Sequence, residues 1–200
     1  IFWSNNGQRL AFYRMDETMV SDYPQVNTEA RTAEYMPDKY PMAGTASHKV
    51  TVGVYDVATD KTIYLQAGNP TDRYFSNIAW SPCGEYIYMM EHPREQNRAE
   101  LVRYHALTGV KDAVLITETH EKYVEPLTPI TFLPWDDTKF IYQSQKDGFN
   151  HLYLYNIKGE ELGQLTQGEW LVQQLVGFYK GRKEIIINTT EVSLLQSNLY

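Results

Sequence analysis

Four stretches of the chain repeat one alternation of apolar and polar positions. They are IFWSNNGQRLAFYRMD (1–16), NIAWSPCGEYIYMMEH (77–92), PITFLPWDDTKFIYQSQ (129–145) and, more weakly, LVGFYKGRKEIIINTTE (175–191). Each opens on a short apolar strand, passes a polar turn rich in Ser, Pro, Asp or Gly, and continues as a strand alternating aromatic and aliphatic residues. Turn chemistry flanked by period-two alternation predicts a β-hairpin. Further strand-like runs complete each unit. AELVRYHAL and KDAVLITET follow the second stretch; NHLYLYNI and EELGQLTQ follow the third. Gly109 in Leu107-Thr108-Gly109 and Gly159 in Lys158-Gly159-Glu160 supply the positive φ that such connections favour. Asp147-Gly148 predicts a two-residue hairpin loop.

The units recur at the length of a propeller blade. Trp80 and Phe132 are 52 residues apart, and Phe132 and Phe178 are 46 apart. The expected fold is therefore all-β: a partial β-propeller of four-stranded antiparallel blades, with about three blades and the start of a fourth. The blades span approximately 1–68, 69–120, 121–168 and, incompletely, 169–200. The first is long because of ETMVSDYPQVNTEARTAEYMPDKYPMAGTASH (17–48), which carries Pro24, Pro37 and Pro41 and lacks period-two alternation. It reads as an excursion between the second and third strands, which resume at KVTVGVYDV and KTIYLQA. No segment predicts a helix. Radial arrays close with four to eight blades, so an isolated half exposes blade edges and needs further blades or a partner.

Composition narrows the function classes. Aromatic residues make up 14% of the chain, which favours strands. A formal charge of -7 provides no basic footprint for nucleic acid and fits an acidic solvated surface. One cysteine excludes an internal disulfide and a thiolate metal cluster. No apolar run approaches the roughly 20 residues that span a bilayer. The chain opens on Ile1-Phe2-Trp3, with no initiator methionine or signal peptide, as expected of a piece of a larger protein.

Candidate chemistry is sparse. None of the eight serines lies in a Gly-x-Ser-x-Gly elbow, and His120-Glu121 has no second histidine at zincin spacing. The histidines at 48, 92, 105, 120 and 151 include no pair at ligand spacing, so no metal site and no cofactor are expected. There is no glycine-rich phosphate loop. Asp136-Asp137 reads as turn chemistry and not as a catalytic carboxylate pair. Asn188-Thr189-Thr190 matches the glycosylation acceptor triplet, a pattern short enough to arise by chance. Cys83, beside Ser81, Pro82 and Gly84, poses a choice between a nucleophile on a tight turn and a hairpin corner. Its counterpart in the first repeat is Asn6, so the repeats share no chemistry there, and the corner is the reading adopted.

Several stretches together resemble the propeller of dipeptidyl peptidase IV enzymes, especially bacterial ones. They are VEPLTPITFLPWDDTKFIYQSQKDGFNHLYLY (124–155), KYPMAG (39–44), REQNRAEL (94–101), LTQGEW (165–170) and TEVSLLQSNLY (190–200). They follow the family's order and cover almost the whole chain. The resemblance implies a serine exopeptidase of the prolyl oligopeptidase class that releases N-terminal dipeptides ending in proline or alanine. Its eight-bladed propeller covers a C-terminal α/β-hydrolase domain carrying the Ser-Asp-His triad. That domain lies outside this chain, so no catalytic residue is expected here. The glutamate pair that holds the substrate's α-amino group lies upstream of the strand matching IFWSNNGQRLAF and is outside it too.

The resemblance also implies that residues 17–44 form an arm packing on its counterpart in a homodimer. Tyr23, Tyr35, Met36 and Tyr40 are the candidate anchors, being residue types that interfaces favour. In the loop 120–129, some mammalian members place an arginine near the substrate. This chain offers Lys122, Tyr123 and Glu125 there, and no substrate-binding residue is assigned. The resemblance favours an exported or periplasmic bacterial protein. The rival readings are a stand-alone propeller that docks a protein or glycan, and a related acylaminoacyl- or oligopeptidase specificity.

Overall fold

A computed structural model describes residues 1–200, and the chain forms no helix. It enters the first blade as β1 (Phe2–Trp3) and β2 (Arg9–Asp16), then leaves it for four two-residue strands. These are β3 (Asp22–Tyr23), β4 (Val26–Asn27), β5 (Glu34–Tyr35) and β6 (Asp38–Lys39). It returns as β7 (Lys49–Asp56) and β8 (Lys61–Tyr64), closing an antiparallel sheet of order β1-β2-β7-β8. The second blade comprises β9 (Arg73–Trp80), β10 (Tyr86–Pro93), β11 (Arg98–His105) and β12 (Lys111–Thr119). The third comprises β13 (Thr131–Leu133), β14 (Asp136–Ser144), β15 (His151–Asn156) and β16 (Glu161–Gln164). The last sheet has three strands, β17 (Val172–Tyr179), β18 (Glu184–Thr189) and β19 (Asn198–Leu199).

Side-chain parity explains why these sheets stack. Successive residues of a strand point to opposite faces, so an aromatic-aliphatic strand without polar alternates can bury both. In β10, Ile87 and Met89 join Val50, Val52 and Val54 of the first blade in one core. Tyr88 and Met90, the intervening residues, join Phe140, Tyr142 and Tyr153 of the third blade in another. A smaller core of Leu133, Ile141, Leu152 and Val172 joins the third and fourth sheets. Each large side chain fully buried in this way contributes roughly 1.5–3 kcal/mol of transfer free energy.

Two glycines fix how closely the blades approach. Gly109 has φ +70°, and a Cβ there would stand 2.3 Å from the carbonyl oxygen of Tyr64 in β8. Gly159 has φ +86°, and a Cβ there would stand 2.2 Å from the carbonyl oxygen of Leu115 in β12. Each is the connection before a blade's outer strand, pressed on the outer strand of the preceding blade. Polar ties also join neighbouring blades. Trp80 Nε1 donates to the Phe2 carbonyl at 2.9 Å, and Arg103 Nη1 donates to the Ile157 carbonyl at 2.7 Å.

The hairpin corners share their chemistry where the sequence repeats it. The Arg9 N–H donates to Ser4 Oγ, and the Tyr86 N–H donates to Ser81 Oγ, each across five residues. Ser4 and Ser81 are both buried, and Gly7 and Gly84 both have positive φ. Cys83 is exposed beside this corner. The third blade departs from the expectation. Its turn is Pro134-Trp135, and Asp136 and Asp137 open strand β14 instead of occupying the turn. Trp135 leaves the corner to pack edge-on against Phe178, with ring centroids 5.5 Å apart.

Asp136 holds the start of β14 through its own carboxylate. Lys139 and Thr138 both donate to it, and they pull its pKa down to about 2. An aspartate in the unfolded chain titrates at about 3.9. The folded state therefore gains from ionised Asp136 above that value and loses the gain as pH falls towards 2. The stability deficit of an Asp136→Asn variant should accordingly be full at pH 7 and shrink through that window. Parallel thermal melts of the two proteins from pH 7 to 2 check this, and a deficit that stays constant with pH would contradict it.

Asp147-Gly148 also differs from the two-residue hairpin expected. Residues 145–150 form a six-residue loop, in which the Gly148 N–H donates to the Gln145 carbonyl and the Phe149 N–H donates to Asp147 Oδ1. The cause lies in the next sheet. The Val172 N–H donates to the Asn150 carbonyl, and Asn150 donates its side-chain amide to the Val172 carbonyl at 2.7 Å. Asn150 is thereby turned toward the following blade instead of the facing strand of its own hairpin.

Candidate functional site

Antiparallel blades send their connections alternately to two ends. The turns after first and third strands lie at one end, and those after second and fourth strands lie at the other. That second end gathers the excursion 17–48 with the connections 65–72, 94–97, 120–130 and 145–150. Several of these are cross-linked. Arg94 Nη1 donates both to the Thr45 carbonyl at the root of the excursion and to Asp72 of the 65–72 connection, at 2.8 and 3.0 Å. The His120 N–H donates to the Asn97 carbonyl, and the Val124 N–H donates to the Gln96 carbonyl. A cleft of about 180 Å³ opens among the last two connections, lined by Glu118, Tyr123, Val124, Glu125, Pro126 and Lys146 among others.

The excursion is a narrow antiparallel ribbon. Asp22 and Tyr23 pair with Lys39 and Asp38, and Val26 and Asn27 pair with Tyr35 and Glu34. Lys39 meets Asp22 at 2.8 Å, but both side chains are exposed, so this pair contributes at most about 1 kcal/mol. Only Val20 and Ser47, near its two ends, are buried. The four anchors read from the sequence lie on this ribbon with much of their surface uncovered: Tyr23 43%, Tyr35 64%, Met36 53% and Tyr40 58%. The structure brings Tyr23 and Tyr40 together, with ring centroids 5.6 Å apart, and records no ring contact for Tyr35. Two short strand pairs with no sheet behind them bury too little to stand on their own contacts.

The reactive side chains do not assemble a catalytic centre. His92 Nε2 stands 3.3 Å from Ser76 Oγ, and burial holds its imidazole below the ordinary histidine range. No carboxylate contacts its other nitrogen, so the nucleophile-base-acid arrangement is incomplete. His151 is fully buried, with Nε2 donating to the Gly168 carbonyl, Nδ1 against Thr166 Oγ1, and Trp170 edge-on to its ring. No three metal-ligating side chains of His, Cys, Asp or Glu type come together. No helix is long and apolar enough to cross a membrane.

The sequence reading missed Glu91, Arg94 and Asn77. Glu91 is buried at 3% exposure in an apolar strand, bound by Arg73 and the Tyr104 hydroxyl, with Lys111 at 3.6 Å. Burial and this carboxylate together push the Tyr104 phenol upward. One signal was available, since Glu91 breaks the apolar run YIYMM.

The sequence profile of the dipeptidyl peptidase IV (DPP IV) N-terminal region matches residues 1–200. The chain belongs to the DPP IV N-terminal region family. This DPP IV region superposes on the crystal structure of a Bacteroides ovatus protein assigned as a dipeptidyl aminopeptidase IV. The TM-score is 0.88 at 51% identity, covering 94% of this chain and 29% of that one. Against Porphyromonas gingivalis dipeptidyl peptidase 4 the TM-score is 0.84 at 28% identity, covering 99% and 28%. An Aspergillus oryzae protein assigned as a dipeptidyl-aminopeptidase B is 26% identical over all of this chain and 25% of its own length. The DPP IV region therefore spans between a quarter and three-tenths of these relatives.

Proposed function

We propose that this chain is the non-catalytic propeller portion of a DPP IV-like serine exopeptidase that releases X-Pro or X-Ala dipeptides from peptide N-termini. In this reading the blades cover a C-terminal α/β-hydrolase domain of the same protein and restrict which peptides reach it. The 17–48 ribbon supports a homodimer, and the protein is exported or periplasmic. The observation that carries the reading is the ribbon within a chain of this family. It forms the second-to-third-strand connection and exposes Tyr23, Tyr35, Met36 and Tyr40, of which Tyr23 and Tyr40 meet only each other as rings. Aromatic residues and methionine are the types enriched at interface centres.

Two results follow. Removing residues 20–38 from the full-length protein should convert a dimer to a monomer in light scattering while the blades remain folded. A persistent dimer would refute the role of the ribbon. The isolated 200-residue chain, which has no Gly-x-Ser-x-Gly elbow, should leave a Gly-Pro chromogenic substrate intact. Hydrolysis that a serine-directed inhibitor blocks would place the chemistry inside this chain and contradict the proposal.

A further inference from the structure

The inner strand of the second blade contains a backbone conformation foreign to a strand. Asn77 lies within β9, yet its φ is +54°. Pairing with β10 passes from Ser76↔Met90 to Ala79↔Tyr88, so Asn77 and Ile78 together oppose Met89. This is a β-bulge whose first residue is left-handed, a place that glycine fills without strain. Asparagine tolerates the region better than most residues, but glycine would tolerate it better still. An asparagine at this position adds a side-chain amide that glycine would lack.

Asn77 Nδ2 donates to the Pro126 carbonyl at 2.8 Å, crossing from the inner strand to the connection between the second and third blades. That connection, residues 120–130, has no regular structure. It is tied at its start by His120 and Val124, through Asn97 and Gln96, and near its end by Thr128 Oγ1 to Gln143. Between Val124 and Thr128 the Asn77 amide makes the one hydrogen bond to a blade. Pro126 itself lines the 180 Å³ cleft, together with Tyr123, Val124 and Glu125 of the same loop and with Glu118 and Lys146.

We propose that Asn77 is a positioning residue: the bulge aims its amide at the Pro126 carbonyl, and this contact sets the 120–130 loop where it governs peptide access. The effect on peptides rests on the DPP IV reading above; the effect on the loop does not. Bulges are used in this way to re-aim a side chain beside a functional site.

The test uses the full-length protein with Asn77→Gly and Asn77→Asp. Glycine keeps the backbone and removes the donor; aspartate keeps the size and sets an acceptor against a carbonyl. Amide hydrogen exchange is read at residues 122–127, with KM and kcat for a Gly-Pro chromogenic substrate. Both variants should exchange faster in the loop, and KM should rise roughly three- to tenfold at unchanged kcat, the scale of one neutral hydrogen bond. Asn77→Gly matching the wild type in exchange and KM would overturn the proposal, because asparagine would then serve the bulge alone. Faster exchange with unchanged KM would overturn the role in access. A wild-type protein that releases no dipeptide would refute the DPP IV reading, while loop exchange in the variants would still decide the Asn77–Pro126 contact.

Discussion

Replacing Glu91 with alanine should destabilise the propeller by about 3–5 kcal/mol, the usual cost of removing one partner from a buried charged network. Glu91 sits in β10 on the face that meets the first blade, at 3% exposure, and both carboxylate oxygens are occupied. Its loss leaves the Tyr104 hydroxyl without a partner in a fully buried position and Arg73 without its counter-charge. An orphaned buried hydroxyl alone costs about 1–3 kcal/mol. The network need not stabilise relative to an apolar alternative, since burying ions is itself expensive. A triple variant, Glu91→Leu with Arg73→Met and Tyr104→Phe, should therefore recover most of what Glu91→Ala loses. Urea unfolding of the full-length protein, followed by tryptophan fluorescence, measures both. A triple variant as unstable as the single would show that packing at the site, and not the unpaired polar groups, sets the cost.

Gly159→Ala should cost about 3 kcal/mol, although it adds one methyl group at a position that is not buried. Two effects add. A left-handed φ costs a residue with a Cβ about 1–2 kcal/mol, and overpacking against a neighbour that cannot turn aside costs about 1–3 kcal/mol. The neighbour here is the Leu115 backbone, 2.2 Å from the added carbon. Leu115 is the bulge residue of β12, held between the pairs Val114↔Val102 and Ile116↔Leu101, so relieving the clash must shift that edge strand or part the second and third blades. Gly148→Ala is the control, because that glycine also has positive φ but nothing within 4 Å of an added Cβ. Its loss should be limited to the backbone part, about 1–2 kcal/mol. Equal losses at the two positions, compared by thermal or urea unfolding, would contradict the interblade contact at Gly159.

Those two sites mark where the sequence was legible and where it was not. The hairpin corners could be read because their chemistry is local. Ser4 and Ser81 each accept a hydrogen bond five residues on, and Gly7 and Gly84 each take the positive φ. The aromatic-aliphatic strands likewise marked the four-stranded blades. Asp147-Gly148 misled because the loop is shaped by Asn150 reaching the next sheet, a partner 22 residues away. Asp136-Asp137 misled because the turn ends one residue earlier and the carboxylate serves Thr138 and Lys139. Glu91 and Asn77 depend on contacts between strands and loops whose pairing no local pattern specifies. The four arm residues could be named only by resemblance, since a two-residue strand leaves no periodicity to read.

A DPP IV-like exopeptidase needs a substrate with a free N-terminus, and the full-length protein should show that need. Two otherwise identical peptides beginning Ala-Pro, one with a free α-amino group and one N-acetylated, would be incubated with it and followed by mass spectrometry. Release of Ala-Pro from the free peptide alone, abolished by a serine-directed inhibitor, is the predicted result. Failure to release the dipeptide, or equal cleavage of the acetylated peptide, would contradict the account.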